Sequence, residues 1–332
     1  MPVNPPTMRA IVQDGYGAPQ HVLRLDEIQA PSIGPDDVLV RVRATSVNTP
    51  DWSTVIGVPY ILRLVSGMRR PKRPVRGSDL AGVVETVGQR VTDLAPGDEV
   101  LGSTRAKAGT FAEYAVVQAA QLVKKPAGLS FEDAAASVMT GLAALAAMRD
   151  AGKVGAGARV LINGASGGVG TMAVQIAKAL GAEVTGVCST RNVELVRSLG
   201  ADHVIDYTTE DFTRSQQRFD VILDNVLNRP PTATARVLAP EGVLIPNSIG
   251  YTGGILAGLP RIARAVLLGM GSTTVKLVTP AVNRESLGAL LGLLESGEVN
   301  VVIDKTYLLD QAPGAVTHML EHHARGKIAI TV

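Results

Sequence analysis

The residues with the clearest chemical meaning are glycines between a predicted strand and a predicted helix. In the segment ARVLINGASGGVGTMAVQIAKAL, a G-x-G-x-x-G pattern aligns with Ala165, Gly167 and Gly170, so alanine replaces the first glycine. The second glycine lets the backbone approach a pyrophosphate, and the third lets the helix pack closely against the strand. The positive end of such a helix favours a phosphate. The backbone groups expected there belong to Ser166, Gly167, Gly168, Val169 and Gly170. The pattern therefore predicts a dinucleotide site, in preference to a glycine turn in a protein without a cofactor.

The end of the next predicted strand indicates which dinucleotide is bound. A site for NAD has Asp or Glu about 20 residues after the glycines, where the carboxylate accepts a hydrogen bond from the ribose 2′-hydroxyl. This chain has Cys188-Ser189-Thr190-Arg191 there, without a carboxylate. Ser189 and Arg191 can bind and neutralise a 2′-phosphate, although Arg191 could instead be a solvated residue at a helix start. We predict NADPH as the cofactor.

Length, charge and cysteine content limit the class of protein. The chain has 332 residues, a formal net charge of +2 and a single cysteine, Cys188. About two domains are expected, and the charge favours neither nucleic acid nor a membrane as a partner. A single cysteine cannot form a disulfide framework. The first residues lack the pattern of a secretory signal, so a cytoplasmic protein is expected.

One basic run, RRPKRP at 69–74, could suggest phosphate binding. It contains two prolines and has no aromatic residues between its cations. We therefore interpret it as a solvated loop, with the phosphate site as the alternative.

The hydrophobic pattern predicts two kinds of architecture along the chain. Up to residue 130, short alternating strands such as Val38–Val42 and Leu80–Val87 are separated by Pro/Gly turns, as in a β-rich domain. Ser130, with Asp133 three residues later, is a plausible cap for an Ala-rich helix. From there strands alternate with helices, which is typical of parallel βαβ units and a doubly wound sheet.

The chain resembles the medium-chain dehydrogenase/reductase superfamily over nearly its whole length, in the order and spacing of segments that are individually weak. These segments are MRAIVQDGYGAP, PDDVLVRVRATSVNTPDW, GSDLAGVVETVG, APGDEVLG, GTFAEYAVV, NGASGGVGTMAVQIAKALGAEV, SLGADHVIDY and RGKIAI. The chain is most similar to the zinc-free quinone oxidoreductase and zeta-crystallin branch, and within it to the reticulon-interacting oxidoreductases. The resemblance implies an α/β protein with a GroES-like catalytic domain, residues 1–126 and 281–332, and a Rossmann NADPH-binding domain, residues 127–280. It places the substrate between these domains.

The resemblance also assigns further residues to the cofactor and the substrate. Those matched to the surroundings of the cofactor are Tyr207, Asn225, Val226, His323, Ala324, Arg325 and Lys327. The tyrosine would lie along the adenosine 2′-phosphate, the next two residues beside the nicotinamide ribose, and the C-terminal four would close over the cofactor. Asn48 matches an asparagine that lines the substrate cleft. Thr140 could partly replace a threonine that family members often have where this chain has Ala143.

Members of this superfamily differ in whether they bind zinc. Its alcohol dehydrogenases have a Cys after the early strand, a His in a G-H-E motif and a lobe with four cysteines, whereas this chain has Asn48, Ser78 and no such lobe. Neutral amide and hydroxyl groups are poor zinc ligands, so no metal is expected. The segment His318–His322 matches H-x-x-E-H, a pattern of zinc proteases, but five-residue matches arise by chance and no distal acidic ligand is evident.

Together these features predict an NADPH-dependent oxidoreductase that transfers hydride to a quinone or an α,β-unsaturated carbonyl compound. Such acceptors delocalise charge and need no Lewis acid. Asn48 could donate a hydrogen bond to the carbonyl oxygen, while Trp52 and Tyr60 either stack on a flat acceptor or belong to the core. The alternatives are an NADPH-binding structural or regulatory protein with little turnover and an enoyl reductase of a biosynthetic pathway.

An apolar segment at 253–271 predicts a protein interface. The stretch Ile255–Met270 has helical spacing with a broad apolar face, and Arg261 and Arg264 lie on the other side. In the resembled family the following strand, here Thr274–Val278, lies at a sheet edge and pairs across a two-fold axis. We expect a homodimer, with a lid over the substrate cleft as the alternative.

Overall fold

The computed structural model describes residues 7–104, 109–248, 258–321 and 324–332. The chain divides into two compact units. The first unit contains Met1–Met139, Val282–Gly292 and Ile303–Val332, and the second contains Thr140–Ala281 and Leu293–Val302.

The strands within the described ranges are, in chain order, β1 (Thr7–Gln13), β2 (Leu23–Gln29), β3 (Asp37–Ser46), β4 (Asp79–Val87), β5 (Glu99–Ser103), β6 (Tyr114–Gln118), β7 (Leu122–Lys124), β8 (Arg159–Asn163), β9 (Glu183–Cys188), β10 (His203–Asp206), β11 (Phe219–Asp224), β12 (Leu238–Pro246), β13 (Thr274–Val275), β14 (Ile303–Leu308) and β15 (Lys327–Thr331). The α-helices are α1 (Pro19–Val22), α2 (Thr49–Ile56), α3 (Arg63–Ser66), α4 (Phe131–Leu145), α5 (Gly168–Ala179), α6 (Val193–Ser198), α7 (Pro231–Ala235), α8 (Leu259–Leu268), α9 (Arg284–Glu295) and α10 (Ala312–Leu320).

Most strands of the first unit form one mainly antiparallel sheet in the order β14-β15-β3-β4-β5-β7, and β6 also pairs with β3. Alternation along β3 places Val38, Val40 and Val42 in a core with Leu80 and Val84 of β4. β15 lies against the end of β3, where Ala329 is paired with Ser46. The predicted β-rich domain is confirmed, and the sheet brings the C-terminal strand beside the residues that follow β3.

The second unit contains a six-stranded parallel sheet in the order β10-β9-β8-β11-β12-β13. Numbered from β8, this is the 3-2-1-4-5-6 order of a doubly wound dinucleotide-binding fold. Central strands such as β11 are apolar along most of their length because helices cover both faces of a parallel sheet. The predicted Rossmann-type sheet is confirmed.

The Ala-rich helix α4 begins at its predicted cap. The backbone N–H of Asp133 donates to Oγ of Ser130 over 3.0 Å, and this hydroxyl donates to the Asp133 carboxylate. By length and composition residues 131–151 could cross a membrane, but 72% of that window is buried inside the protein, as in a core helix.

The units differ from the predicted domains at two boundaries. Along the chain, the first boundary between the two units lies within α4, after Met139, whereas the predicted domain boundary is at residue 126. Residues 293–302, predicted in the catalytic domain, group with the second unit. Gln175 of α5 explains the second difference, because its amide donates to the carbonyl oxygen of Asn300 over 2.9 Å and accepts from the Asn300 N–H over 2.8 Å.

The apolar segment is described from residue 258 onward, so Ile255 and Leu256 lie outside the described residues. Helix α8 follows, with Leu267 64% exposed and the nearby Met270 79% exposed. Among the described residues β13 pairs only with β12, so it is an edge strand as expected, although it has two residues instead of the predicted five. In the described part of the chain, Leu267 and Met270 of this apolar face are thus exposed, whereas Leu259 and Ile262 are half-buried.

Candidate functional site

The turn between β8 and α5 has the shape that the glycine pattern requires. Gly164 has φ +80°, and a Cβ there would lie 2.8 Å from Cγ2 of Val226. A Cβ on Gly170 would lie 2.1 Å from the carbonyl oxygen of Gly164. The positive φ of the turn is therefore at Gly164, one residue before the Ala165 that aligns with the first glycine of the pattern. The Asn-Gly pair directly after the strand was a turn signal that could have identified Gly164.

The N-terminus of α5 presents the predicted backbone groups at the carboxyl edge of the parallel sheet. Gly167 is the N-cap with extended backbone, and the helix runs for twelve residues from Gly168. Its first N–H groups and its dipole point outward at this end, as an anion site requires. Oγ of Ser166 accepts a hydrogen bond from Nδ2 of Asn192 over 2.9 Å.

Asn192 links this turn to the end of β9. Its Nδ2 also approaches Oγ of Ser189 at 3.3 Å, while its Oδ1 is buried without a partner in the described structure. Sequence reasoning missed Asn192, whose place at the start of α6 was the available signal. Arg191 is exposed on the same 3₁₀ turn.

Tyr207 follows β10, the strand beside β9. Its backbone N–H donates to the carbonyl oxygen of Cys188 over 3.0 Å, and the residue is 49% exposed. Ser189, Arg191 and Tyr207 therefore lie at adjacent strand ends, as a 2′-phosphate site would require.

A carboxylate also lies at this edge. Asp206 ends β10, and its Oδ2 accepts a hydrogen bond from Oγ1 of Thr190 over 2.6 Å. The side chain and the backbone N–H of Thr208 donate to its other oxygen. These bonds, with that from Thr190 first, lower the pKa of Asp206. The expected absence of a carboxylate rested on the end of β9 alone, and Asp206 directly precedes Tyr207, the residue that the resemblance matched to the 2′-phosphate at the end of β10.

The end of β11 holds the predicted nicotinamide-side residues. Asp224 is buried, and its Oδ1 accepts hydrogen bonds from Nδ2 of Asn163 and from the N–H groups of Val226 and Leu227, at 2.8 to 3.1 Å. Burial raises the pKa of Asp224 against these bonds. The carboxyl group thereby fixes the turn that carries Asn225 and Val226.

The oxygen of the Asn225 side-chain amide has a hydrogen-bond partner, whereas its nitrogen has none in the described structure. Its Oδ1 accepts from Nδ2 of Asn247 over 2.8 Å, whereas its own Nδ2 is buried without a partner in the described structure. An unsatisfied buried donor costs about 1–3 kcal/mol, so this atom fits a ligand acceptor. Together with the glycine cradle, it makes the edge suitable for a dinucleotide. Asn247, at the end of β12, was also missed.

Asn48 lies in the first unit, in a buried polar cluster. It is 3% exposed and immediately precedes α2. Its Nδ2 donates to Oδ2 of Asp79 over 2.8 Å and approaches Oγ of Ser78 at 3.5 Å. Its Oδ1 accepts from Nζ of Lys327 over 2.7 Å. Both polar atoms of the amide thus have partners within the protein, although the second hydrogen of Nδ2 has only the 3.5 Å contact with Ser78.

Lys327 is the cation of this cluster. It begins β15, is 3% exposed, and also donates to the carbonyl oxygen of Val47 over 2.8 Å. Burial lowers its pKa, and burial raises the pKa of Asp79; the attraction between the two charges opposes both shifts. Oδ1 of Asp79 is buried without a described partner. The resemblance implied that Lys327 closes over the cofactor, whereas its ammonium group lies inside the first unit, against Asn48.

The donor set around Asn48 does not fit zinc. The two positions that carry Cys and His in the zinc enzymes hold an amide and a hydroxyl, and an ammonium group is bonded to the amide oxygen. In the part of the chain that is described, no three His, Cys, Asp or Glu side chains gather as metal ligands would. His318 instead contacts Asp304 and Tyr307, each over 3.1 Å, and His322 lies outside the described residues.

The remaining predicted residues have different environments. Trp52 in α2 is 4% exposed and Thr140 in α4 is 5% exposed. Tyr60 is 46% exposed, with the guanidinium group of Arg63 4.1 Å from its ring centre. Ala324 is half-buried and Arg325 is exposed, while His323 lies outside the described residues.

Comparisons with known proteins agree with this fold. The alcohol dehydrogenase GroES-like domain family matches residues 34–127, and the zinc-binding dehydrogenase family matches residues 199–330. The chain is 32% identical to the chloroplastic quinone-oxidoreductase QR1 of Triphysaria versicolor, over 97% of this chain and 98% of that protein. It is 34% identical to the mitochondrial NAD(P)H oxidoreductase RTN4IP1 of Bos taurus, over 98% of this chain and 89% of that protein.

A solved structure shows the same architecture. The quinone oxidoreductase from Coxiella burnetii superposes with a TM-score of 0.86 at 27% identity, covering 98% of this chain and 99% of the other. With the sheet orders and the glycine turn, these similarities establish the relationship. The chain is an NAD(P)H oxidoreductase of the medium-chain dehydrogenase/reductase superfamily and belongs to its quinone oxidoreductase and zeta-crystallin-like branch.

Proposed function

We propose that the protein transfers hydride from NADPH to a quinone or an α,β-unsaturated carbonyl compound, without zinc. The observation that carries this proposal is the unpartnered amide donor of Asn225 at the same sheet edge as the Gly164–Gly170 turn. A bound dinucleotide would satisfy this donor and place its pyrophosphate against the N-terminus of α5. The nicotinamide supplies the hydride, and the protein supplies binding and orientation.

The preference for NADPH rests on the positive and polar groups at the ends of β9 and β10. Arg191 can form a charge-assisted hydrogen bond to a 2′-phosphate, and Ser189 and Tyr207 can add neutral ones. Asp206 would oppose that phosphate, but its oxygens already accept hydrogen bonds from Thr190 and Thr208. We therefore assign Asp206 to the turn and Arg191 to the phosphate.

The choice of acceptor rests on the Asn48 cluster. Because Lys327 already supplies the cation there, a Lewis acid that polarises a simple ketone has no suitable ligands. Quinones and enones spread the developing negative charge over their own conjugated system. Tyr60 is the better candidate for contact with a flat acceptor, since Trp52 is almost fully buried. Asn48 acts as a positioning residue that connects β15 to the start of α2.

Steady-state oxidation of NADPH by a panel of acceptors tests the proposal. A quinone and an enone should be reduced, a matched saturated ketone should not, and a chelator should leave the rates unchanged. Gly170→Val should abolish cofactor binding because of the close carbonyl of Gly164. Gly288→Ala in α9 is the control, since a Cβ there meets open space.

Each other outcome points to a different function. Tight NADPH binding without turnover of any acceptor would favour a structural or regulatory role. Turnover confined to enones would favour an enoyl reductase. Chelator-sensitive reduction of the saturated ketone would overturn the zinc-free assignment.

A further inference from the structure

A short surface segment, residues 60–73, combines exposed apolar side chains with exposed cations. We call it the interfacial segment. Ile61 is 59% exposed, Leu64 65% and Met68 65%, and the adjacent Tyr60 is 46% exposed. Twelve large hydrophobic residues are exposed in the described structure, and four of them lie within the nine positions 60–68. Such concentration on a monomer's surface usually marks an interaction site.

Contacts with the rest of the first unit hold one side of the segment in place, so the arrangement of its exposed side chains is defined by the fold. Arg63 donates to the carbonyl oxygens of Gly57 and Ile56, at 2.8 and 3.2 Å. Its guanidinium group lies between two rings, 4.3 Å from the centre of Tyr16 and 4.1 Å from that of Tyr60. The Tyr16 hydroxyl donates to the carbonyl oxygen of Gly67 over 2.6 Å. These contacts anchor one side and leave Ile61 and Leu64, one helical turn apart, facing solvent.

Four cations follow directly after the apolar side chains. They are Arg69, Arg70, Lys72 and Arg73. All four are exposed, and within the described ranges none of them forms an ion pair. Their exposure agrees with the solvated loop expected from the sequence. The expectation of no membrane partner rested on the net charge of the whole chain, whereas this segment gathers four cations beside exposed apolar side chains.

We infer that the interfacial segment docks the protein on an anionic lipid surface. Exposed aliphatic side chains can enter the boundary between headgroups and acyl chains, while cations beside them contact anionic headgroups. A nucleic acid would use the cations and leave Ile61, Leu64 and Met68 in water. The other exposed apolar group, on α8, has no comparable run of exposed cations among the described residues. Lipid docking goes beyond the proposed reductase activity, and if that activity is correct it would bring the enzyme close to acceptors dissolved in a bilayer.

Flotation of the full-length protein with lipid vesicles tests this inference. Vesicles of phosphatidylcholine mixed with phosphatidylglycerol should bind the wild type at low salt, and phosphatidylcholine vesicles should bind it much less. The variant Arg69→Ser/Arg70→Ser should lose about thirty-fold in affinity for the anionic vesicles, from about 1 kcal/mol for each cation. Ile61→Ser/Leu64→Ser should also lose most of the binding, because the apolar contribution is removed.

Matched controls separate docking from general charge and apolar effects. Arg43→Ser/Arg236→Ser removes the same charge from exposed positions elsewhere, and Leu308→Ser removes an apolar side chain that is 57% exposed and lies outside the segment. Both controls should bind as the wild type does, and thermal unfolding should show that all variants fold. Failure of the wild type to bind anionic vesicles would overturn the inference. Unchanged vesicle binding by both segment variants would also overturn it. The same holds if only the cation variant loses vesicle binding and the wild type binds duplex DNA as tightly as it binds anionic vesicles. NADPH turnover by the wild type in solution tests the proposed reductase activity separately, because that assay contains no vesicles.

Discussion

The ammonium group of Lys327 donates a hydrogen bond to Oδ1 of Asn48 over 2.7 Å, although 279 residues separate them. The contact exists because β15 pairs with the end of β3, so the first residue of one strand lies beside the residues that follow the other. Asp79, at the start of β4, completes the cluster through Nδ2 of Asn48. A lysine and an aspartate are thus buried together, with an asparagine between them.

Lys327→Met should destabilise the protein strongly. The substitution fills similar volume but leaves the Asp79 carboxylate buried without its countercharge, which costs about 3–5 kcal/mol. Urea unfolding should measure this loss. The double variant Lys327→Met/Asp79→Asn should recover a large part of it, because no charge then remains unpaired. Asp79→Asn alone completes the cycle. A loss in the double variant equal to the sum of the two single losses would mean that the two residues do not interact energetically.

Stability should depend on the protonation of Asp51. Burial raises the pKa of this carboxyl group from 3.8 to about 7 in the folded protein. Between these values the folded state binds more protons than the unfolded state, so the free energy of unfolding falls as pH rises from about 4 to about 7 and levels above. Asp51→Asn removes this dependence, since an amide oxygen can still accept from the Asn48 N–H.

The free energy of unfolding of Asp51→Asn, relative to that of the wild type, should therefore increase from about pH 4 to about pH 7. Urea unfolding across this interval measures it, and Glu241→Gln at an exposed position is the control. A difference independent of pH would show that Asp51 is already ionised in the folded protein throughout.

The sequence predicted the elements and the cofactor edge better than the polar clusters. Strand alternation, the Ser130 cap and the glycine turn act over a few residues, so local pattern was sufficient for them. The Lys327–Asn48 contact depends on which strands are neighbours, and neither residue carries that information locally. Asp206 was missed for the same reason, since its closeness to Thr190 follows from the pairing of β9 with β10. The positive φ lies at Gly164, one residue before the aligned Ala165; the Asn163-Gly164 turn signal could have located it, whereas matching glycines to the dinucleotide pattern did not.

Arg191→Ala should weaken NADPH binding by about 1–3 kcal/mol and leave NADH binding nearly unchanged. The reason is the loss of a charge-assisted hydrogen bond to the 2′-phosphate, a group that NADH lacks. Fluorescence titration with both cofactors measures the difference, and Arg214→Ala at another exposed 3₁₀ turn is the control. Equal weakening of both cofactors would reject the assignment. A selective loss of NADH binding in Asp206→Asn would instead identify Asp206 as the group that selects the ribose.

The purified protein should contain no stoichiometric zinc and should keep its activity in chelator. The two positions used by zinc enzymes hold Asn48 and Ser78, and the amide oxygen is bonded to Lys327. Elemental analysis and assays before and after chelation measure this. One zinc ion per chain, with activity lost on its removal and restored on its return, would contradict the expectation.

We further propose that the protein is a homodimer in which α8 and β13 of two copies meet. Leu267 and Met270 are 64% and 79% exposed, and Leu277, just beyond β13, is 57% exposed. Pairing of edge strands would cover this apolar surface and the free edge of the sheet together. Light scattering should find a dimer for the wild type and a monomer for Leu267→Asp/Met270→Asp, with Leu308→Asp, equally apolar and exposed in the first unit, as the control. A monomeric wild type would reject the dimer. A dimer that survives the double substitution while the Michaelis constant for the acceptor rises would assign this helix to a lid, because charge on its face would then disturb substrate binding and not assembly.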